Sequence, residues 1–231
     1  MKKIGLIGGM SWESSLEYYR IINEKVHEQL GGFHSAKSVM ESVDFAEIEK
    51  LQHQNEWNAL SRKMVEAAQN LEKADADMVI LCTNTMHLCS DAIQKNIHIP
   101  FLHIATATGE KIKEKKLDKV LLLGTQFTME KDFYKDILHK DFGVEVIIPD
   151  KKDREIIHKI IYEELVHGKL FAESKEKYLK IIQKSIEKGA QGAILGCTEI
   201  PLLIKQKDVK IPVFDTTQIH AEKAVEWALK K

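Results

Sequence analysis

The chain has 231 residues, 44% of them hydrophobic, with 34 basic residues against 35 acidic and a net charge of -1. That length accommodates one large domain or two modest ones and supplies a sizeable core. The charge balance excludes a general nucleic-acid binder, which needs a basic surplus or stripe to meet phosphates, and no apolar run approaches the roughly 20 residues of a membrane span.

Residues 4–7 read as a first strand, with Gly8-Gly9-Met10-Ser11 as the turn after it. Gly5, Gly8 and Gly9 interrupt the apolar run and no cleavage-site pattern follows, so a signal peptide is not expected. Ser11 is the expected N-cap of a helix over 12–30, where Leu16, Tyr19, Ile22 (or Asn23) and Val26 recur at helical spacing. Gly31-Gly32 stops it. Residues 37–43 alternate loosely as a second strand, and 45–71 are helical with a break near 52–55. A third strand over 78–82, a helix over 85–95 and a short strand ending at Ile104 follow, the last containing Ile99-Pro100-Phe101. The pattern then restarts. It gives a strand over 119–123, a turn at Gly124-Thr125, a helix over 128–139 and a strand over 144–148 closed by Pro149. Helices over 153–164 and 172–188 precede a strand over 193–195. Ile211-Pro212-Val213-Phe214-Asp215 matches Ile99-Pro100-Phe101-Leu102-His103, and a last helix covers 220–229.

Such strand–helix alternation predicts an α/β fold whose parallel sheets carry helices on both faces. Gly8 lies 75 positions before Thr83, and Gly124 lies 73 before Cys197. This near-equal spacing predicts two similar α/β domains related by a pseudo-twofold axis, with the active site in the cleft between them. The expected domains are 1–103 plus 211–231, and 104–210.

In an open parallel sheet, ligands bind just beyond the carboxyl ends of the strands. Two apolar strands end in small polar residues: Met78-Val79-Ile80-Leu81-Cys82 before Thr83-Asn84-Thr85-Met86-His87, and Ala193-Ile194-Leu195 before Gly196-Cys197-Thr198-Glu199. A thiol on one wall, and a hydroxyl or thiol on the other, suggest chemistry at a carbon held between them. Cys197 stands at a strand end before a helix start, where a helix N-terminus favours the thiolate. Cys82 and Thr83 are neighbours, so strand alternation lets only one of them face the cleft. Cys89 reads as core, and His87 either orients a neighbour or caps the helix start. The three cysteines form no Cys-x-x-Cys pair, which predicts free thiols in a cytoplasmic protein. No His/Cys/Asp cluster has zinc spacing, so no metal is expected. Gly5-Leu6-Ile7-Gly8-Gly9-Met10 lacks the dinucleotide spacing and is better suited to an anion such as a substrate carboxylate than to a nucleotide.

At these tips the sequence resembles the cofactor-independent aspartate/glutamate racemase family. The resemblance is carried by Ile7-Gly8-Gly9-Met10, Asn84-Thr85-Met86-His87, Gly196-Cys197-Thr198-Glu199 and Ile211-Pro212-Val213-Phe214-Asp215, which are spread over the chain in the family's order. It implies two α/β domains, a homodimer, one cysteine from each domain flanking the substrate α-carbon, and neither pyridoxal phosphate nor metal. Two departures stand out. The family's first motif has Cys directly before Asn-Thr; here that position is Thr83, with Cys82 one place earlier. This looks like the bacterial type specific for L-aspartate and L-glutamate, which carries Thr at the first catalytic position. The basic residue that many aspartate racemases place after the second strand is not evident, and Gln52 is the nearest polar candidate.

The resemblance thus implies an isomerase interconverting L- and D-aspartate or glutamate, with Thr83 and Cys197 as the catalytic pair on opposite faces of the α-carbon. Cys197 as thiolate takes the proton from the L-substrate, and Thr83 protonates the other face. Met10, Gln52, Asn84, Thr85, Thr125 and Thr198 are the expected carboxylate-binding positions, and Glu164 or Glu199 the expected partner of the ammonium. The same superfamily also implies alternatives of the maleate isomerase, hydantoin racemase or arylmalonate decarboxylase type, with Cys197 acting alone. A non-catalytic binding protein for an acidic metabolite is a further alternative.

Overall fold

The computed structural model describes residues 1–230 and divides the chain into two units. The first comprises residues 1–104, rejoined by the chain from His220 onward, and the second comprises residues 105–219.

The first unit is built on β1 (Ile4–Gly8), which is buried along its whole length. It continues with α1 (Trp12–Leu30), β2 (Ser38–Ser42), α2 (Phe45–His53), α3 (Trp57–Lys73) and β3 (Met78–Leu81), then a 3-10 turn at Thr85–Cys89 and α4 (Ser90–Lys95). The strands lie in the order β2-β1-β3, all parallel, with Ile4 opposite Ser38 on one side and Met78 on the other. Ser11 caps α1 through its side chain, as expected. The break between α2 and α3 falls at Asn55, whose φ of 56° is a left-handed conformation that Asn tolerates. Period-two alternation sorts the strand side chains onto two faces. Ile4, Leu6, Met78, Ile80 and Cys82 pack with Tyr18, Ile21 and Ile22 of α1 and with Ala221, Ala224 and Val225 near the C-terminus. Ile7, Val79 and Leu81 pack with Ile48, Leu60 and Met64 on the other face. Each such fully buried aliphatic side chain contributes about 1.5–3 kcal/mol.

The second unit repeats this order. It runs through α5 (Ile104–Glu114), β4 (Lys119–Gly124), α6 (Gln126–Glu130), α7 (Asp132–Phe142), β5 (Glu145–Ile147), α8 (Lys151–Glu163) and α9 (Ala172–Glu187). It ends with β6 (Gly192–Gly196), α10 (Ile200–Leu203), β7 (Val213–Asp215) and α11 (Thr216–Leu229), which carries the chain back to the first unit. The sheet order is β5-β4-β6-β7, again all parallel. β5-β4-β6 has the order of β2-β1-β3. The place of β7 beside β6 is answered in the first unit by a single parallel bridge between Val79 and Phe101.

Two expectations are corrected. The strand expected to end at Ile104 is only that bridge: Val79 donates to Pro100 O, Leu102 donates to Val79 O, and the chain turns helical at Ile104. The return to the first domain, expected at residue 211, occurs at His220, because Val213 pairs with Ala193 and Phe214 with Ile194. α5 was not foreseen. A Cβ on its Gly109 would lie 2.4 Å from the Phe142 ring, so glycine there serves close packing. Among the described residues, no helix is long and apolar enough to cross a membrane.

Candidate active site

The carboxyl tip of β3 in the first unit carries Thr83. The alternation that sends Cys82 into the α1 face of the core continues past the strand end, so Cys82 is fully buried while Thr83 is partly exposed. Burial raises the Cys82 thiol far above its ordinary pKa, which favours its protonated form. Cys89 is likewise core, packed beside Met86 and Ile93, and its pKa is raised by burial.

The backbone of this tip is held by side chains. Ser14 Oγ donates to Cys82 O at 2.5 Å, and the His87 ring meets Thr83 O through Nδ1 at 2.8 Å. Gly9 N donates to Ser15 Oγ at 2.7 Å. Asn84 and Thr85 are buried where the 3-10 turn begins. Gln52 is also buried and donates to Met86 Sδ at 3.1 Å, and Met10 packs in the same apolar cluster as Met86. The first unit therefore gathers Met10, Gln52, Thr83, Asn84 and Thr85 around one strand tip.

The second unit's tip is set by two glycines in register. Gly124 of β4 pairs with Gly196 of β6, and a Cβ on Gly124 would stand 2.8 Å from Gly196 O, while one on Gly196 would stand 2.7 Å from Leu123 O. Small residues are thus needed for the two strand ends to lie side by side, which places Thr125 and Cys197 at adjacent tips. Thr125 caps α6, accepting from Thr128 N. Cys197 Sγ donates to Glu199 Oε2 at 2.8 Å, and Thr198 Oγ1 donates to the same oxygen at 2.8 Å. Glu164 ends α8 and accepts from Ser174 Oγ at 2.6 Å. Buried Tyr178, one helical turn beyond Ser174 on α9, has its pKa raised by burial and then by the nearby Cys197, Glu164 and Glu199. Glu164 thus lies, with Cys197 and Glu199, in the surroundings of Tyr178. Tyr178 itself gave no sequence signal.

At rest, the surroundings of Cys197 favour the thiol over the thiolate. Burial raises the Cys197 pKa well above its ordinary value, and the Glu199 carboxylate raises it further by charge repulsion and by accepting the thiol proton. Backbone N–H groups of Thr198 and Glu199 pull the other way without prevailing. α10 is a single turn of four residues, too short to bring much dipole to bear. The resting group is a protonated thiol hydrogen-bonded to a carboxylate.

The Asp/Glu/Hydantoin racemase family model matches residues 7–224. An aspartate racemase homologue from Pyrococcus horikoshii has a structure 38% identical in sequence, matched over 100% of both chains with a TM-score of 0.87. A protein from Yersinia pestis assigned to the Asp/Glu racemases is 50% identical over 100% of both chains, with a TM-score of 0.94. The broad-specificity amino-acid racemase RacX of Bacillus subtilis is 25% identical over 177 residues, which is 74% of this chain and 73% of that one.

Proposed function

The chain belongs to the Asp/Glu/hydantoin racemase family, and on that premise we propose that it is an isomerase interconverting L- and D-aspartate or glutamate without pyridoxal phosphate, using Cys197 and Thr83 as the two acid/base groups. The observation that carries this assignment is the Cys197 Sγ–Glu199 Oε2 hydrogen bond at the tip of β6. It joins the candidate acid/base thiol to a group that can take its proton.

Transfer of the Sγ proton to Glu199 yields a thiolate beside a neutral carboxyl, so two negative charges never stand together. The thiolate removes the α-proton of the L-amino acid, and the electron pair spreads into the substrate carboxylate as an enediolate. Backbone amides after the strand tips, with Thr85, Thr125, Thr198 and the turn at Met10, stabilise that charge. The Thr83 hydroxyl delivers a proton to the other face, directly or through water, and is reprotonated from solvent. Glu199 returns its proton to solvent as the cycle closes. The substrate ammonium is assigned to Glu164, which leaves Glu199 to take the Cys197 proton. Free thiols and the resemblance to dimeric racemases support a cytoplasmic homodimer.

Chiral analysis of L-aspartate and L-glutamate incubated with the purified protein tests the assignment. The D-enantiomer should form with one or both, and not with Cys197→Ala. Carbon dioxide from a substituted malonate, or fumarate from maleate, with no D-amino acid, would instead assign a lyase or isomerase using Cys197 alone.

A further inference from the structure

His87 makes two hydrogen bonds with backbone groups and is completely buried. Its Nε2 lies 3.2 Å from the Ile104 N–H, which can only donate. Nε2 therefore presents its lone pair, the proton sits on Nδ1, and Nδ1–H donates to Thr83 O at 2.8 Å. The two partners fix the tautomer. The ring is wedged among His103 at 4.6 Å between centroids, Phe101 at 5.6 Å and His220 at 5.7 Å. His220 is pinned in turn, with Nε2 at 2.9 Å from Leu102 O and Nδ1 at 2.8 Å from Tyr18 Oη. Two histidines thus grip residues 102–104, and that segment backs the His87 ring.

The peptide on the other side of the Thr83 α-carbon is held as well, because Ser14 Oγ donates to Cys82 O. The Cys82 carbonyl fixes the plane that enters Thr83, and the Thr83 carbonyl fixes the plane that leaves it. With both planes fixed, the direction of the Thr83 Cα–Cβ bond follows.

We propose that His87 and Ser14 are positioning residues that clamp the two peptides flanking Thr83 and so aim its hydroxyl at the α-carbon. The proposal rests on the racemase assignment above. His87 takes no proton itself: its bond to the Ile104 N–H would be lost on protonation. Misplacement of a reacting group by about 1 Å can cost about a hundredfold in rate, so a clamp on one acid/base group should be visible kinetically.

The test uses the full-length protein in deuterated buffer with the L-substrate it racemises. It compares deuterium entering recovered L-substrate, which reports the Cys197 face, with D-enantiomer formation, which also needs the Thr83 face. In His87→Gln, which retains an acceptor for Ile104 but not the donor to Thr83, D-enantiomer formation should fall at least about tenfold relative to L-face exchange. Ser14→Ala should shift the partition the same way. His87→Asn, whose amide nitrogen can occupy the Nδ1 place, should restore most of it. Parallel loss of both rates in every variant, or Asn behaving no better than Gln, would overturn the positioning role. Ser14→Ala keeps the question decidable if the His87 variants fail to fold, since an unchanged partition there also overturns it. Wild-type protein that exchanges no substrate would remove the racemase assignment and the role of Thr83 with it, whereas active wild type with an unchanged partition in the variants would remove the clamp alone.

Discussion

The Cys197 thiol donates a hydrogen bond to Glu199 Oε2 across 2.8 Å, which sets the proposed acid/base thiol beside the carboxylate proposed to take its proton. Glu199→Gln should therefore have opposite effects on acidity and on turnover. Removing the negative charge removes repulsion that raises the Cys197 pKa, so the thiol should ionise at lower pH, although burial still holds it up. Turnover should nonetheless drop by about a hundredfold or more, because the proton acceptor is gone. The pH dependence of Cys197 alkylation, read beside kcat, checks both. Buried Cys82 and Cys89 should give little background. An unchanged or higher alkylation midpoint would contradict the pairing.

Thr83→Cys and Cys82→Ala separate the two residues that compete for the first catalytic position. Cys82 packs with Ile4, Leu6 and Tyr18, away from the tip, so Cys82→Ala should leave turnover within about twofold while costing about 1–2 kcal/mol of stability by urea unfolding. Thr83→Cys places a far better base on the second face, and α-proton exchange from D- and L-substrate should become more nearly equal. Loss of activity in Cys82→Ala at full structural integrity would mean that Cys82 serves the second face.

Burial keeps His103 and His220 neutral, lowering their pKa values to about 3 and about 4. The unfolded chain protonates these rings near pH 6.5 and the native one does not. The unfolded state therefore binds more protons in this window, and stability must fall as pH drops from about 6.5 toward 4. His220 alone should account for about 3 kcal/mol by pH 4. The carboxylates Asp132, Asp150 and Asp208, whose pKa values are lowered mainly by hydrogen bonds from lysines, lose their contribution only below that window. Urea midpoints between pH 7 and 4.5 should decline in the wild type and decline less in His220→Gln, which can still bond Tyr18 and Leu102. A flat wild-type profile would contradict neutral burial.

Gly196→Ala tests the register that sets the second tip. Its Cβ would stand 2.7 Å from Leu123 O, a backbone atom with little room to move. The substitution should destabilise by about 1–3 kcal/mol and lower turnover by displacing Cys197. Equal urea midpoints would show that the strands can part without cost.

Much of the fold was legible because it depends on local pattern. The apolar runs at Ile4, Met78, Lys119 and Ala193 are each strands, and the repeat seen in the spacing of Gly8, Thr83, Gly124 and Cys197 reappears as a repeated strand order. The likeness of Ile211-Pro212-Val213 to Ile99-Pro100-Phe101 was itself informative, since both segments lie beside the third strand of their own unit. Assigning residues 211–219 to the first domain ran against that likeness. The site divides the same way. Opposite placement of Cys82 and Thr83 follows from strand alternation, which sequence carries. The state of Cys197 does not, because it depends on how the Thr198–Glu199 backbone folds the carboxylate back onto the thiol. The His87–Thr83 bond spans four residues, a spacing visible in the sequence, but the Ile104 N–H that fixes its tautomer comes from 17 residues away.

The most direct test of the central claim is proton NMR of L-aspartate and L-glutamate in deuterated buffer, with wild type and Cys197→Ala, followed by chiral analysis of the same samples. Two-sided proton transfer predicts loss of the α-proton signal together with appearance of the deuterated D-enantiomer in wild type, and neither in Cys197→Ala. Undiminished exchange in Cys197→Ala, or no exchange by wild type on either amino acid, would contradict it.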